Sequence, residues 1–569
     1  VEDEASNAMN IVRINLTDKT VNTTPVPEEY ADLGGRGLTS VMINDLVPAG
    51  CDPLGPDNLL IFAPGFLSGT PLVNTGRLSV GGKSPLTGGI KEANAGGTMA
   101  VALARHGIRA VVVEGQAGEG ELYSILIEKD GTTSLVESPE YQGMRNYALA
   151  ETLLGKFGPK HSIALAGPAG EMRLSSASIQ ITDPNGKPCR AAARGGLGAV
   201  MGSKGLKALV VSTQGMTPRP TLNSPLMGDA SKSFARNIKR DGWASQTLPQ
   251  FGTASILANT NASGALPTRN ARQGQFEQAE QIDGDTMYET ITRRGGQTTH
   301  KGCSRCIINC SNVYVDENGN PITSALEYET IWSMGAMTCI DDLDTVARLD
   351  FLCDDIGLDT MNTGTALAVT MDAGHLEFGD KEGAVRLVEE VVEGTEMGRL
   401  VGHGPNAVGA HFNHSRVPTI KGQSIAGYDP RAMPGMGVTY ATSTQGGDHT
   451  AGFIGGARGT TDMLKQMSAT LQANMAVVDS MGVCMFAQSG GQDNMYKAVT
   501  ALTGKPFGPG EWGKLARRIM QAELDFNRRA GLTEADDELP DMFHNEQLSA
   551  QYNIVPYPKE DLHGTLEYI

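Results

Sequence analysis

A chain of 569 residues exceeds what one hydrophobic core usually supports, so roughly three or four domains are expected. With 40 % hydrophobic and 19 % charged residues and a formal charge of −18, it reads as a globular protein. It lacks the basic excess that general binding to nucleic acid or to an anionic membrane would need. No run of about 18 apolar residues occurs, and no basic-then-apolar segment opens the chain. No membrane span or secretory signal is therefore expected, and a cytoplasmic protein is. Residues 1–9, from Val1 through Ala8 to Met9, read as an expression remnant outside the fold.

From Asn10 to about Thr213, short β-branched runs alternate with glycine turns. Asn58–Ala63, Ala110–Glu114, His161–Leu165 and Lys207–Ser212 are predicted strands. The intervening loops Asn74–Arg77, Gly82–Gly88, Glu92–Gly97 and Ala193–Gly205 are rich in glycine, which lets backbone N–H groups approach an anion. Arg77, Arg194 and Lys204 can balance its charge. A dinucleotide-binding reading of Gly196-Leu-Gly198 is disfavoured, because that fingerprint follows a strand, whereas this segment precedes one.

From about Pro218 the pattern changes to longer segments of 3.6-residue period. Asp342–Ile356 carries Val346, Leu349, Leu352, Cys353 and Ile356 on one face, and Leu464–Met481 carries a comparable stripe. Both end alike, as Asp354-Asp-Ile-Gly357-Leu358-Asp359 and Asp479-Ser-Met-Gly482-Val483-Cys484. Each glycine sits where a helix can terminate in the left-handed conformation. A carboxylate in a last helical turn is opposed by the helix dipole. Asp354 and Asp479 are thus either exposed ordinary acids or acids awaiting hydrogen-bond donors, such as an electron-rich heterocycle bearing N–H groups.

Cys303-Ser-Arg-Cys306-Ile-Ile-Asn-Cys310 crowds three cysteines into eight residues. Three local thiolates and a remote fourth suit a [4Fe-4S] cubane, and Cys484 is the strongest candidate for the fourth. Structural zinc and unrelated thiols are the alternatives, although C-x2-C-x3-C does not make the paired knuckles usual for zinc. Cys51, Cys189, Cys339 and Cys353 read as small buried residues.

Several motifs resemble, in order, those of the aldehyde ferredoxin oxidoreductase family. They are Gly34-Gly-Arg36-Gly-Leu, Asp52-Pro-Leu-Gly-Pro-Asp-Asn, Ser84-Pro-Leu-Thr, Asn94-Ala-Gly-Gly and Ala193-Arg-Gly-Gly-Leu-Gly. The later half adds the cysteine cluster, Glu327-Tyr-Glu329-Thr, both acidic turns, Tyr428-Asp-Pro-Arg431 and Tyr440–His449. The resemblance spans about Asn10 to Phe486, and nothing distinctive is found from Ala487 to Ile569.

The resemblance implies an α+β fold: a β-rich, cofactor-cradling N-terminal domain of paired sheets, residues 10–215, followed by two mainly helical domains, 216–420 and 421–569. It implies a tungsten, or molybdenum, bis-pyranopterin beside a [4Fe-4S] cluster on Cys303, Cys306, Cys310 and Cys484. Asp354, Gly357, Leu358 and Asp359 would grip one pterin, and Asp479, Gly482 and Val483 the other. Asn94 and the Ala193 carbonyl would hold a Mg2+ ion bridging the phosphates, with Arg77, Arg194, Gly195 and Gly196 around them. Glu329 and His449 would be the acid/base pair, with Glu327 as the fallback.

The activity implied is oxidation of an aldehyde with water to a carboxylic acid, electrons leaving to ferredoxin or an iron-sulfur electron-transfer subunit. A tungsten subunit of a complex reducing an aromatic thioester or activated acid is an alternative. So, in another class, is an electron-transfer subunit with a degenerate pterin site. Two departures stand out. Arg348 lies in the helix where some members use a glutamate to hold an inter-subunit iron, so no such iron is expected and a homodimer is left open. Gly447-Asp448 precedes His449 where a cysteine is expected in many members.

Overall fold

The computed structural model describes residues 9–549 and 553–569, so the segment Val1 to Ala8 lies outside the described residues. The glycine-rich half folds into two six-stranded sheets. The first is built from β1 (Asn10–Asn15), β2 (Thr20–Pro25), β3 (Leu60–Pro64), β4 (Leu78–Lys83), β5 (Ile90–Ala95) and β6 (Ile108–Glu114), in the order β2-β1-β6-β3-β4-β5. The second is built from β7 (Tyr123–Ile127), β8 (Thr133–Glu137), β9 (His161–Ala166), β10 (Ile179–Ile181), β11 (Arg190–Ala192) and β12 (Leu206–Ser212), in the order β11-β10-β9-β12-β7-β8. Each sheet contains one parallel pair, β1 with β6 and β12 with β7, among antiparallel neighbours. All four predicted strands are present, with ends shifted by up to two residues.

The sheets pack together because alternate residues of both are apolar. Val12, Ile14, Phe62, Val80, Val111 and Val113 of the first share one core with Ile125, Ile127, Ala164, Leu209 and Val211 of the second. The opposite face of the first sheet, with Ile61, Ala110 and Val112, packs with Val478, Ile519 and Phe526 of late helices. Cys189 and Cys353 are buried as expected, whereas Cys51 and Cys339 are only half-buried.

The two predicted helices form as Leu343–Ile356 and Thr461–Met481. Asp342 caps the first by accepting from the Thr345 N–H at 3.0 Å, and Thr460 caps the second from Met463. Both stop at the anticipated glycines, Gly357 at φ 85° and Gly482 at φ 74°, a left-handed turn that a side chain would strain. Among the described residues no helix is long and apolar enough to cross a membrane.

Candidate functional site

The two acidic turns dock on different sheets. The turn at Gly357 adds to the second sheet, where Ser178 donates to the Gly357 carbonyl at 2.9 Å and Asp359 donates to Ser176 at 2.9 Å. The turn at Gly482 meets the first sheet. Phe66 donates to Ser480 at 2.8 Å, Leu67 to Met481 at 3.1 Å, and Arg77 to Gly482 at 3.1 Å. Gly65 and Gly482 approach so closely that a Cβ on Gly65 would overlap the Gly482 backbone. The same edge holds the cysteine loop, as Cys484 donates to Asn74 at 2.9 Å, Asn74 donates to Arg305 at 3.2 Å, and Ser304 donates to Gly97 at 3.0 Å.

Cys484 is thereby carried to the loop of Cys303, Cys306 and Cys310. The Asn74 amide donates to the Cys306 sulfur at 3.3 Å, and a Cβ on Gly96 would lie 2.6 Å from the Cys303 sulfur. Burial pushes the Cys484 thiol up to about 12, and neighbouring Cys306 and Cys303 add to the rise. Burial also raises Cys306 and Cys310, the latter with Cys484 and Cys306 contributing. Thiols that repel one another's ionisation are close neighbours, and Arg190 and Arg77 are cations that oppose the rise. Among the described residues no three His, Cys, Asp or Glu side chains are gathered tightly enough for a single metal ion. Iron carried by all four sulfurs fits this donor set.

Beside the cysteines lies a cavity lined by Arg77, Asn94, Ala193, Arg194, His449 and Asp479, with Arg36, Lys91, Glu92, Gln445 and Asp448 completing its charged wall. The wall is a buried lattice of charges. Arg36 donates from Nε and Nη2 to Glu523 at 2.8 and 2.9 Å and from Nη1 to Asp479 at 3.4 Å. Burial and neighbouring Glu92 raise the Asp479 carboxyl, while Arg36 and Arg77 offset part of that rise. Burial opposes ionisation of Glu523, but Arg36 outweighs it and holds the acid below its ordinary value. Arg77 occupies the Asn94 side-chain oxygen at 2.5 Å, and Asn94 in turn donates to Glu92 at 3.2 Å.

Asp359 and Arg194 face each other across 3.6 Å, and neither the Asp359 Oδ2 nor the Arg194 Nε atom has a hydrogen-bond partner. Two orphaned buried polar atoms of opposite charge suit an inserted polar group that can both donate and accept. Arg194 is otherwise fixed by the Gly447 and Ser424 carbonyls. Asp354 does not line this cavity. It is buried beside Asp350 and Asp355; burial first and Asp350 second raise its carboxyl well above the usual range, with Arg190 the cation that opposes the rise. Gly357, Leu358, Gly482 and Val483 form the turns themselves. Gly195 packs on Lys91, and both Gly195 and Gly196 adopt positive φ.

The candidate acid/base residues divide. His449 Nε2 lies 3.3 Å from Glu329 Oε1, without the alignment of a hydrogen bond, and Glu329 Oε2 accepts from the Gly427 N–H at 2.9 Å. Burial raises the Glu329 carboxyl, with His449 partly opposing. Glu327 points elsewhere, accepting from Thr253 at 2.6 Å and from Arg190 at 3.4 Å. Asp448, standing where a cysteine was expected, pairs with the buried Lys91 at 3.6 Å and lies 3.8 Å from His449 Nδ1. Burial opposes its ionisation, yet Lys91, Arg194 and His449 prevail and hold it far below the ordinary carboxylate value.

Arg36, Lys91, Glu92 and Glu523 were not singled out as site residues from sequence. Glu523 lies in the tail where no motif was found, yet it falls on the apolar face of the helix Pro509–Arg529, between Ile519 and Phe526. An acid on an apolar stripe is a signal that it has a buried partner.

A cysteine set beside a polar cavity, between two sheets and the end of the helix Thr461–Met481, has the make-up of a redox site. Comparison with known proteins gives the lineage. Residues 11–213 match the model of the aldehyde ferredoxin oxidoreductase N-terminal domain, and residues 229–562 match that of its domains 2 and 3. The chain belongs to the aldehyde ferredoxin oxidoreductase family. It is 32 % identical to the tungsten-containing aldehyde ferredoxin oxidoreductases of Pyrococcus furiosus and Thermococcus kodakarensis, covering 94 % of this chain and 91 % of each relative. It is 26 % identical to the WOR-like subunit of the aliphatic sulfonate oxidoreductase of Pyrococcus furiosus, over 90 % of this chain and 85 % of that one. Its fold is shared with a chain of the active site complex BamBC of benzoyl coenzyme A reductase, with a TM-score of 0.82 at 20 % identity over 97 % of this chain and 92 % of that one.

Proposed function

We propose that the chain is a tungsten-dependent enzyme that oxidises an aldehyde with water to a carboxylic acid. A [4Fe-4S] cluster held by Cys303, Cys306, Cys310 and Cys484 would supply a one-electron exit toward ferredoxin or a similar carrier. The observation that carries this reading is the turn Asp479–Cys484, which offers a half-buried acid to the cavity at one end and a cluster thiolate at the other. Cofactor and exit cluster would then be joined by five peptide bonds' length of chain, so relative motion between them is small.

In this reading Asp354, Gly357, Leu358 and Asp359 would hold one pterin, and Asp479, Gly482 and Val483 would hold the other. Arg77, Arg194, Gly195 and Gly196 would surround the phosphate ends, and Asn94 with the Ala193 carbonyl would hold Mg2+, a hard cation suited to oxygen ligands. Cys303, Cys306, Cys310 and Cys484 hold the iron. The bound tungsten centre would supply a two-electron acceptor, and the cluster a one-electron exit. The domain limits that accompany this reading are 10–215, 216–420 and 421–569.

The chain's own residues handle protons and orientation. Oxidation of RCHO with H2O to RCOOH releases two protons and two electrons. Glu329 is the better supported base, because its raised carboxyl lies 3.3 Å from His449, which lines the cavity, whereas Glu327 is tied to Arg190 and Thr253. As carboxylate it takes a proton from water or the hydrated aldehyde. The His449 imidazole, between Glu329 and Asp448, hydrogen-bonds the carbonyl oxygen as charge develops. Tungsten, molybdenum and iron should be measured per chain after anaerobic purification, followed by aldehyde-dependent reduction of a viologen dye. One tungsten, four irons and dye reduction are expected for this cofactor set, and zinc without a group-six metal would refute it.

A further inference from the structure

The helix Ser224–Arg240 buries Met227, Ala230, Phe234 and Ile238 on one side. Its opposite side exposes Lys232, Arg236, Lys239 and Arg240, spaced to form one stripe. Among the described residues none of the four is in an ion pair, while Asp229 at the near end is already matched by Lys497 at 3.8 Å. Four unmatched cations in line are out of character for a chain of charge −18.

The helix leads toward the segment that follows Cys484. Asn237 of the same helix donates to the Gly490 carbonyl at 3.1 Å, and Phe234 packs on Gly490, fixing the helix to the segment that follows Cys484. Three residues past Arg240, Trp243 is 38 % exposed and meets Phe486 edge-on with ring centroids 5.4 Å apart. Phe486 lies two residues from Cys484, and its backbone N–H favours the thiolate there. An aromatic pair, exposed Trp243 on half-buried Phe486 two residues from Cys484, lies beside an unpaired basic stripe.

We propose that this face docks a small acidic one-electron carrier protein, with the stripe steering it and Trp243 and Phe486 seating it over the cluster. The inference rests on the function proposed above, which requires electrons to leave one at a time at the surface nearest the cysteines. Charge complementarity decides the occupant. An acidic carrier approaching a chain of charge −18 is repelled elsewhere, so a local basic stripe sets where it lands.

The test uses anaerobically purified holoenzyme, a small acidic bacterial-type ferredoxin as the probe, and benzyl viologen as a small acceptor that needs no docking. The K232E/R236E/R240E variant is compared with a charge-matched reversal on another helix, K514E/R517E/R528E. The stripe variant is expected to raise the KM for ferredoxin at least tenfold at low salt, an effect that fades as salt screens both. Its viologen rate should be unchanged, and the control should stay within twofold. Calorimetric binding of the ferredoxin should weaken in parallel, a readout that stands even if aldehyde oxidation itself fails and takes the proposed function with it. Unchanged ferredoxin KM and binding in the stripe variant, or an equal loss in the control, would overturn the proposal. A change in oligomeric mass with ferredoxin binding intact would assign the face to a second copy and overturn it as well.

Discussion

The two acidic turns share one sequence pattern and one backbone shape, yet their electrostatic surroundings differ. Asp479, on the first sheet, enters a lattice in which Arg36 also holds Glu523, Ser40 and Thr444 donate to that same glutamate, and Arg77 stands nearby. Asp354, on the second sheet, is surrounded by Asp350 and Asp355 with Arg190 as its cation, and Arg190 is itself shared with Glu327 and the cysteines. One motif is set among cations of the chain, and the other among acids with Arg190 as its counter-charge. A repeated local pattern fixes a turn, while the partner each turn requires is set by the sheet on which it lands.

The largest effect should come from what both halves enclose. Glu329→Gln is expected to lower kcat by about 10²–10⁴ with metal content retained. The parent's rate should rise with pH as Glu329 loses its proton, with a midpoint above the ordinary carboxylate range because burial raises this acid; the variant should lack that limb in a pH profile. Next, Glu523→Ala strands Arg36 in the core and should cost about 3–5 kcal/mol in chemical denaturation.

Asp354→Asn should do the reverse in cofactor-free protein. An acid whose folded value is raised contributes most below its unfolded value of about 3.9, and that contribution is lost as pH climbs toward the folded value. The amide avoids the loss, so at neutral pH the variant should be more stable by about 1–3 kcal/mol, with the gain vanishing near pH 4. Denaturation at pH 4 and pH 7 checks this, and the same variant should hold less tungsten and pterin per chain. Asp479→Asn should also stabilise cofactor-free protein at neutral pH, but by less than Asp354→Asn, because its carboxyl is raised to about 7 while Arg36 and Arg77 offset part of that rise. Equal responses at 354 and 479 would erase the distinction between the halves.

Much of the local structure was legible in the sequence. Apolar periodicity marked both long helices, and the glycine after each acidic turn marked its end, because a left-handed residue has few other solutions. The pairing of sheets was legible only through family resemblance. The lattice around Arg36 was not, since its bonds to Glu523 join residues 487 apart and no local pattern encodes such a separation. Arg36 sat in a recognised glycine motif without an assigned partner, and Glu523 in a tail with none. Assigning the tail no motif missed that its helix seals the cavity wall. Glu327 and Glu329, two apart, could not be separated by spacing; the start of the helix Tyr328–Met334 turns them to different neighbours.

The convergence of Cys484 on the loop 303–310 is the central claim, and low-temperature electron paramagnetic resonance of dithionite-reduced protein, read with iron per chain, tests it most directly. The parent should give the signal of a reduced [4Fe-4S] cluster and about four irons. Cys484→Ala should abolish or reshape that signal and lower the iron, while Cys353→Ala, a buried cysteine away from the set, should leave both intact. A signal and iron count indifferent to Cys484 would contradict the account.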